Sequence, residues 1–441
     1  MKQTAKMEII NPHAAGIDIG SRSHYVAIGQ QEDQVKEFNV YSSGQKQMIS
    51  YLKENRIITV ALESTGSYWQ SLFRVLQDAG FEVLLCSGSQ TKNVRGKTDV
   101  KDCQWIQKLH SLGLLRGCYL PSETTFKIRT LSRHRQFIVE TAASLSNKMQ
   151  KALRLMNLRL DVVLNDITGV SGIRIIEAIL NGERDGVKLS LLAHSRVRKS
   201  KNDIADAMQG QWSDELLYEL KSSYDLYKVT QKSISDCDVE IEKILNKATS
   251  QTIIETDIKL KKKQLKGKNQ QRFDLPAYSY KLFGVDLFAI ESISMNTVMT
   301  FIAEIGNDIY KFQTSKQFTS WLRLAPNNKV SGGKLISSRT PKGKNKFTLA
   351  LRNAANTIDR QKNGNLNSFF KRIAYKKGRA AAITATARKL ASIIWNMVVK
   401  KQSYKPLDEI KYIELLKSKR VSNIRTMMRK YGITTSELSV T

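Results

Sequence analysis

The sequence predicts an α/β domain at the front, a helical coiled-coil middle and a mainly α-helical rear domain. Two observations carry this expectation. Over residues 1–122, three short apolar strands come in a row and then alternate with amphipathic helices, whereas over 123–258 apolar residues recur at three- and four-residue spacing. The expected organisation continues with a basic linker at 259–275, a rear domain at 276–402 and a basic tail at 403–441.

A chain of 441 residues exceeds what one hydrophobic core usually organises, so several domains are expected. Lysine and arginine number 71 against 40 aspartates and glutamates, a formal net charge of +31. Such an excess suits a polyanionic partner. No apolar run approaches the about 20 residues that a bilayer requires, and no signal-peptide pattern opens the chain, so no membrane association is expected. The expected location is the cytoplasm. Cys86, Cys103, Cys118 and Cys237 show no C-x-x-C spacing and the five histidines form no H-x-x-x-H pair, which argues against structural zinc and a disulfide framework. A metal would have to be held by carboxylates, which favours Mg2+ or Mn2+.

In the front region, strands are expected at 14–19, 24–28 and 35–41, then a helix at 45–54, a strand at 57–62, a helix at 68–79, a strand at 82–86 and a helix through 101–112. Three strands followed by alternating helix and strand resemble the order of the RNase H and RuvC-like fold. The chemistry follows from where acids interrupt this pattern. Asp18 sits inside an apolar strand and Glu63 ends another, positions where a carboxylate is costly unless a cation or hydrogen bonds compensate it. Asp99 and Asp102 open the last helix three residues apart, hence on one face. Together the four can hold one or two divalent ions that activate the attacking oxygen and stabilise the leaving one at phosphorus. Taken singly, Asp99 also reads as an N-cap and Asp18 as a turn cap. The segment from Gly16 to Ser21 also resembles the first phosphate hairpin of actin-like sugar kinases, but the second such loop they need is not found downstream.

In the middle, 126–160 places Leu131, Ile138, Ala142, Leu145, Met149 and Met156 on a heptad-like stripe, and a second stripe runs through Leu217, Leu220, Tyr224, Tyr227, Gln231, Ile234, Asp238, Ile241 and Leu245. Polar Gln231 and Asp238 read as register-fixing positions on the seam. The seam fits either a dimer, the preferred reading, or an intramolecular hairpin. Residues 165–212 are expected to be compact and mostly helical, and the basic run 259–272 to be a mobile linker able to lie on phosphates.

The rear domain is expected to contain helices at 293–305 and 318–324, after which the helical pattern breaks. There Ser331 precedes Gly332 and Gly333, which allow close backbone approach to a ligand, and Lys334, Arg339, Lys342, Lys344 and Arg352 follow as candidate nucleic-acid contacts. A serine amid cations suits attack on, or binding of, a phosphate. An ordinary glycine turn with solvated lysines fits the same residues.

The segments Ile17-Asp18-Ile19-Gly20, Leu62-Glu63-Ser64-Thr65-Gly66, Lys97-Thr98-Asp99-Val100-Lys101-Asp102 and Val330-Ser331-Gly332-Gly333-Lys334 together resemble the IS one-ten family of insertion-sequence transposases, also called DEDD transposases or bridge recombinases. Leu131-Ser132-Arg133 and the stretches 301–306 and 381–390 match it too, in order and separation. The resemblance implies a RuvC-like domain, a coiled coil and a C-terminal transposase domain. It implies Asp18, Glu63, Asp99 and Asp102 as the metal-binding tetrad and Ser331 as the nucleophile of a covalent phosphoserine link. It further implies donor and target double-stranded DNA as substrates, a structured guide (bridge) RNA as partner, and assembly as a homo-oligomer, a dimer that becomes a tetramer when active. One departure stands at 289–294: where the family usually carries a Gly-Ile-Gly helix-hairpin-helix turn that grips DNA phosphates, this chain reads Ala289-Ile290-Glu291-Ser292-Ile293-Ser294. A hydrolytic RuvC-like junction resolvase shares the carboxylates without needing Ser331, and a non-enzymatic coiled-coil nucleic-acid binder needs neither.

Overall fold

A computed structural model of the protein describes residues 8–64, 66–92, 98–251, 267–343, 345–361, 364–405 and 409–432. The chain forms two compact units, Met1–Leu120 and Pro121–Thr441.

In the first unit the order is β1 (Ala14–Ile19), β2 (Ser23–Ala27), β3 (Val35–Asn39), α1 (Ser42–Glu54), β4 (Thr59–Glu63), α2 (Trp69–Asp78), β5 (Glu82–Cys86), α3 (Gly88–Thr91) and α4 (Asp99–Ser111). All five expected strands and the three expected helices are present; the single-turn α3 and a short 3-10 helix at Glu32–Gln34 were not foreseen. The sheet runs β3-β2-β1-β4-β5, with an antiparallel meander β1–β3 and with β4 and β5 parallel to β1. Parallel β1 and β4 lie in the middle, which is why their apolar residues run almost unbroken and are nearly all buried. Helix α4 lies against β1 so closely that a Cβ at Gly16 would stand 2.2 Å from the backbone nitrogen of Gln107. Gly16 is therefore fixed by backbone contact, and α4 is pinned over the strand that carries Asp18.

The second unit opens with the long α5 (Glu123–Leu155), then α6 (Leu160–Val163), α7 (Val170–Leu180), α8 (Gly186–Leu191), α9 (Lys201–Ala207) and the long α10 (Asp214–Thr249). The span 165–212 is thus helical, as expected. The two predicted stripes face each other within one chain. Ile138, Ala142, Leu145 and Met149 of α5 share a buried cluster with Leu220, Tyr224, Tyr227 and Ile234 of α10, while Ile128 joins Ile241 and Leu245 in another. The start of α5 thus meets the end of α10. Leu220 and Ile241 are completely buried, so charged substitutions there would disrupt the protomer itself rather than report on assembly between protomers.

Asp238 has an intramolecular partner on this seam. Arg135 donates to it through Nε at 2.7 Å and Nη2 at 3.1 Å, and both side chains are buried. The same guanidinium donates through Nη1 to the carbonyl of Asn269. Asp238→Ala, which leaves Arg135 charged and buried without its anion, is expected to cost about 3–5 kcal/mol in urea denaturation. A midpoint equal to wild type would show that water replaces the carboxylate.

The expected mobile linker needs correction over 267–272; residues 252–266 lie outside the described residues. Gln271 and neighbouring Phe273 are buried, Arg272 donates to Ser235, and the Lys268 ammonium lies over the Tyr227 ring. Composition marked this stretch as basic, but two anchoring side chains hold its end against α10.

The remainder comprises α11 (Leu275–Phe283), α12 (Met295–Glu304), α13 (Ser315–Trp321), β6 (Lys329–Ser331), β7 (Lys334–Ser337), α14 (Lys346–Ile358), α15 (Asn365–Lys377), α16 (Arg379–Lys400) and α17 (Glu409–Tyr431). The helices expected at 293–305 and 318–324 are α12 and α13, and the tail expected only to be basic contains α17. No helix among the described residues is long and apolar enough to cross a membrane.

Candidate active site

The register that pairs Ile17 with Leu62 on parallel β1 and β4 makes Asp18 and Glu63 the next residue on each strand. They leave the carboxyl ends of neighbouring strands side by side. Alternation puts Asp18 on the same face as Gly16, beneath α4. The acids of α4 come to this region from its first turn, and Thr98, which accepts from the Lys101 amide, is the N-cap. Asp99 is therefore not spent on capping. Cys103 lies between the two groups: burial pushes its thiol up to about 12, and the charges of Asp18 and Asp102 push in the same direction. Tyr25 faces Asp18 across the β1–β2 ladder; a hydrogen bond to Glu37 raises its hydroxyl above the usual range, and the charge of Asp99 pushes the same way.

Glu63 takes a different partner. Thr91 of α3 donates to its Oε2 at 2.5 Å, and Gly88 leaves room for the carboxylate, since a Cβ there would stand 2.4 Å from Oε1. The donor set suits a hard cation in kind, being entirely oxygen, and gathers at one edge of the sheet. Its spacing does not close around a point: among the described residues no three of His, Cys, Asp or Glu stand close enough to share an ion. Thr65 of the motif that ends β4, and residues 93–97 including Lys97 of the motif that opens α4, lie outside the described residues.

In the second unit, β6 and β7 form a two-stranded antiparallel hairpin whose turn is Gly332-Gly333, with φ of 52° and 73°. Two successive left-handed residues make the tight turn that matches strand twist, and glycine adopts it without strain. The glycines thus shape the hairpin, where the sequence suggested ligand approach. Ser331 pairs directly with Lys334, so hydroxyl and ammonium side chains leave the same face of the tip. Ser331 is exposed, as are the flanking Val330, Leu335 and Ile336. Such an apolar tip is costly in water unless something covers it in the working state.

Arg339 closes the base of the hairpin by accepting from the Asn327 amide through its carbonyl, leaving its exposed side chain on the same element. Lys342 is exposed too, and its carbonyl accepts from Arg323. Lys344 lies outside the described residues. Arg352 differs from the other candidates, being half-buried on α14.

Two motifs acquire a structural meaning. Arg133 grips Glu304 with two hydrogen bonds of 3.0 and 2.9 Å, and Arg129 donates to the Glu304 carbonyl at 2.6 Å, so α5 is clamped to α12. In the stretch 289–294, Ser292 has left-handed geometry with φ of 65°, and its hydroxyl accepts from Gln361 at 2.8 Å. Beside it Glu291 is half-buried, and burial raises its carboxyl above the usual range. The span 360–402 of the rear domain holds 11 lysines and arginines and no acid, a concentration of charge visible from counting alone.

Two family models match the chain. Residues 15–158 match a DEDD transposase model of IS110 type, and residues 286–371 match the model described as Transposase IS116/IS110/IS902 family. The first spans the whole carboxylate edge and the second spans the Ser331 hairpin. No curated protein matches the chain.

Proposed function

We propose that this chain, which belongs to the IS116/IS110/IS902 family of transposases and is a DNA transposase/recombinase, cuts and rejoins DNA through Ser331. The observation that carries the reading is the placement of Ser331 at an exposed hairpin tip directly across from Lys334. The serine oxygen attacks the phosphorus of a phosphodiester, the bond to one deoxyribose oxygen breaks, and that oxygen leaves with a proton as a hydroxyl. A phosphoserine ester remains. Attack by a second deoxyribose hydroxyl reverses the step, restores a diester and frees the serine, so bond energy is conserved without a nucleotide triphosphate. Lys334 offsets the phosphate charge from the same face, and Arg339, Lys342, Lys344 and Arg352 hold the neighbouring backbone.

Asp18, Glu63, Asp99 and Asp102 would hold Mg2+ or Mn2+, which when bound supplies positive charge at the reacting phosphate. For that arrangement Glu63 has to turn from Thr91 toward Asp18 and Asp102. Guidance by a structured RNA that pairs with donor and target DNA, and assembly as a dimer and then a tetramer, complete the reading on the strength of the family; the charge of +31 is what such polyanions require.

The test is a nicked suicide duplex carrying the element's end sequence, incubated with full-length protein and its co-purified RNA. A covalent protein–DNA band on a denaturing gel, mapped by mass spectrometry to the peptide containing Ser331, is the expected result. Cleaved ends free of protein would favour the hydrolytic junction-resolvase reading.

A further inference from the structure

An almost fully exposed aromatic is unusual on a soluble surface, and α15 carries one: Tyr375 is 93 % exposed. It stands in a row with Arg372 and Phe369 at successive three-residue steps, which on a helix form one ridge. The Arg372 guanidinium lies 5.5 Å from the centre of the Phe369 ring. Lys371 and Lys376 flank the ridge, and Phe370 and Leu366 anchor the opposite side of α15 in the core.

At its other end the ridge opens on a cleft of about 260 Å³ between α15, α16 and the segment after α16. Its wall combines Phe369 and Tyr404 with the amides of Asn365 and Asn396, and with Lys389 and Lys405. The volume falls below the about 300 Å³ typical of drug-sized sites, which suits one planar ring system. Burial and the charge of Glu291 push the Tyr404 hydroxyl up to about 12, so it stays a neutral hydrogen-bond donor.

Cations alone would describe a surface for any polyanion. Aromatic faces interleaved with cations, beside a ring-sized cleft bearing amides, describe something narrower: each unpaired base offers a face to stack on and an edge to read, while its phosphate meets a lysine. A duplex keeps its bases stacked inside and cannot use the ridge. We infer that the ridge Phe369–Arg372–Tyr375 and the adjoining cleft bind unpaired nucleotides of a single-stranded nucleic acid, at a site independent of the Ser331 chemistry.

The experiment measures fluorescence anisotropy of labelled 12-nucleotide probes of one sequence, as single-stranded RNA, single-stranded DNA and blunt duplex DNA, with full-length protein. Tyr375→Ala is expected to weaken single-strand binding roughly tenfold, the loss of one stacked base, while changing duplex binding less than about twofold. Tyr375→Trp should retain wild-type affinity. Lys389→Ala and Lys405→Ala should each reduce the salt dependence of single-strand binding by about one phosphate contact. A stronger effect on RNA or on DNA identifies which strand supplies the nucleotides. Unchanged single-strand affinity in Tyr375→Ala, or equal losses on single strand and duplex, would overturn the inference. The readout is equilibrium binding and involves neither cleavage nor a covalent adduct, so failure here and failure of the serine reading are read separately.

Discussion

Asp18→Asn is expected to reduce strand cleavage roughly 10³-fold or more while leaving nucleic-acid binding unchanged. The substitution keeps the shape of a half-buried side chain at the end of β1 and removes one charge from an edge that also carries Glu63 and, on α4, Asp99 and Asp102. Stability should hold or rise slightly, because like charges are being thinned. A loss of activity therefore cannot be assigned to unfolding. The companion measurement is thermal: a divalent ion that binds only the native protein raises its melting temperature by mass action. Wild type should gain stability as Mn2+ is added, and Asp18→Asn should gain less. Full Mg2+-dependent cleavage by the variant, or an equal thermal gain, would remove Asp18 from the ion site.

Asp18 was legible because the cost of a carboxylate in an apolar strand can be seen in one line of sequence, and Asp102 because its spacing from Asp99 fixes a shared helix face. The strand order followed from period-two patterns joined by short turns. What escaped is what depends on residues far apart. Thr91, 28 positions after Glu63, holds that carboxylate, and Glu304, 171 positions after Arg133, is its partner; no local pattern encodes either. The stripes on α5 and α10 showed that each helix buries a face but were silent on what covers it, and the covering surface is the other helix of the same chain. Basic composition pointed to a loose linker where Gln271 and Phe273 are packed. The β6–β7 hairpin escaped for a different reason: its strands are three and four residues long and wholly or mostly exposed, so no buried face imposes an alternation on them.

That exposure makes the serine unusually easy to test. Ser331 contributes no packing, so Ser331→Ala should change stability by less than about 0.5 kcal/mol, and any functional loss is chemical. Binding to DNA and RNA should match wild type, because the cations of the hairpin and of α15 and α16 remain. The covalent adduct should vanish, and strand exchange should fall by roughly 10⁴-fold or more, as expected for removal of a nucleophile. Lys334→Ala should give an intermediate result, since it keeps the nucleophile and removes one charge across the tip, a loss of roughly 10²-fold. The ordering separates the mechanisms. A phosphoserine route predicts no adduct for Ser331→Ala and a weakened one for Lys334→Ala. Direct hydrolysis at the carboxylate edge predicts that both variants cut at wild-type rate, since neither residue belongs to that edge. Cleavage by Ser331→Ala with free ends would leave the exposed hairpin a role in holding DNA and none in breaking it.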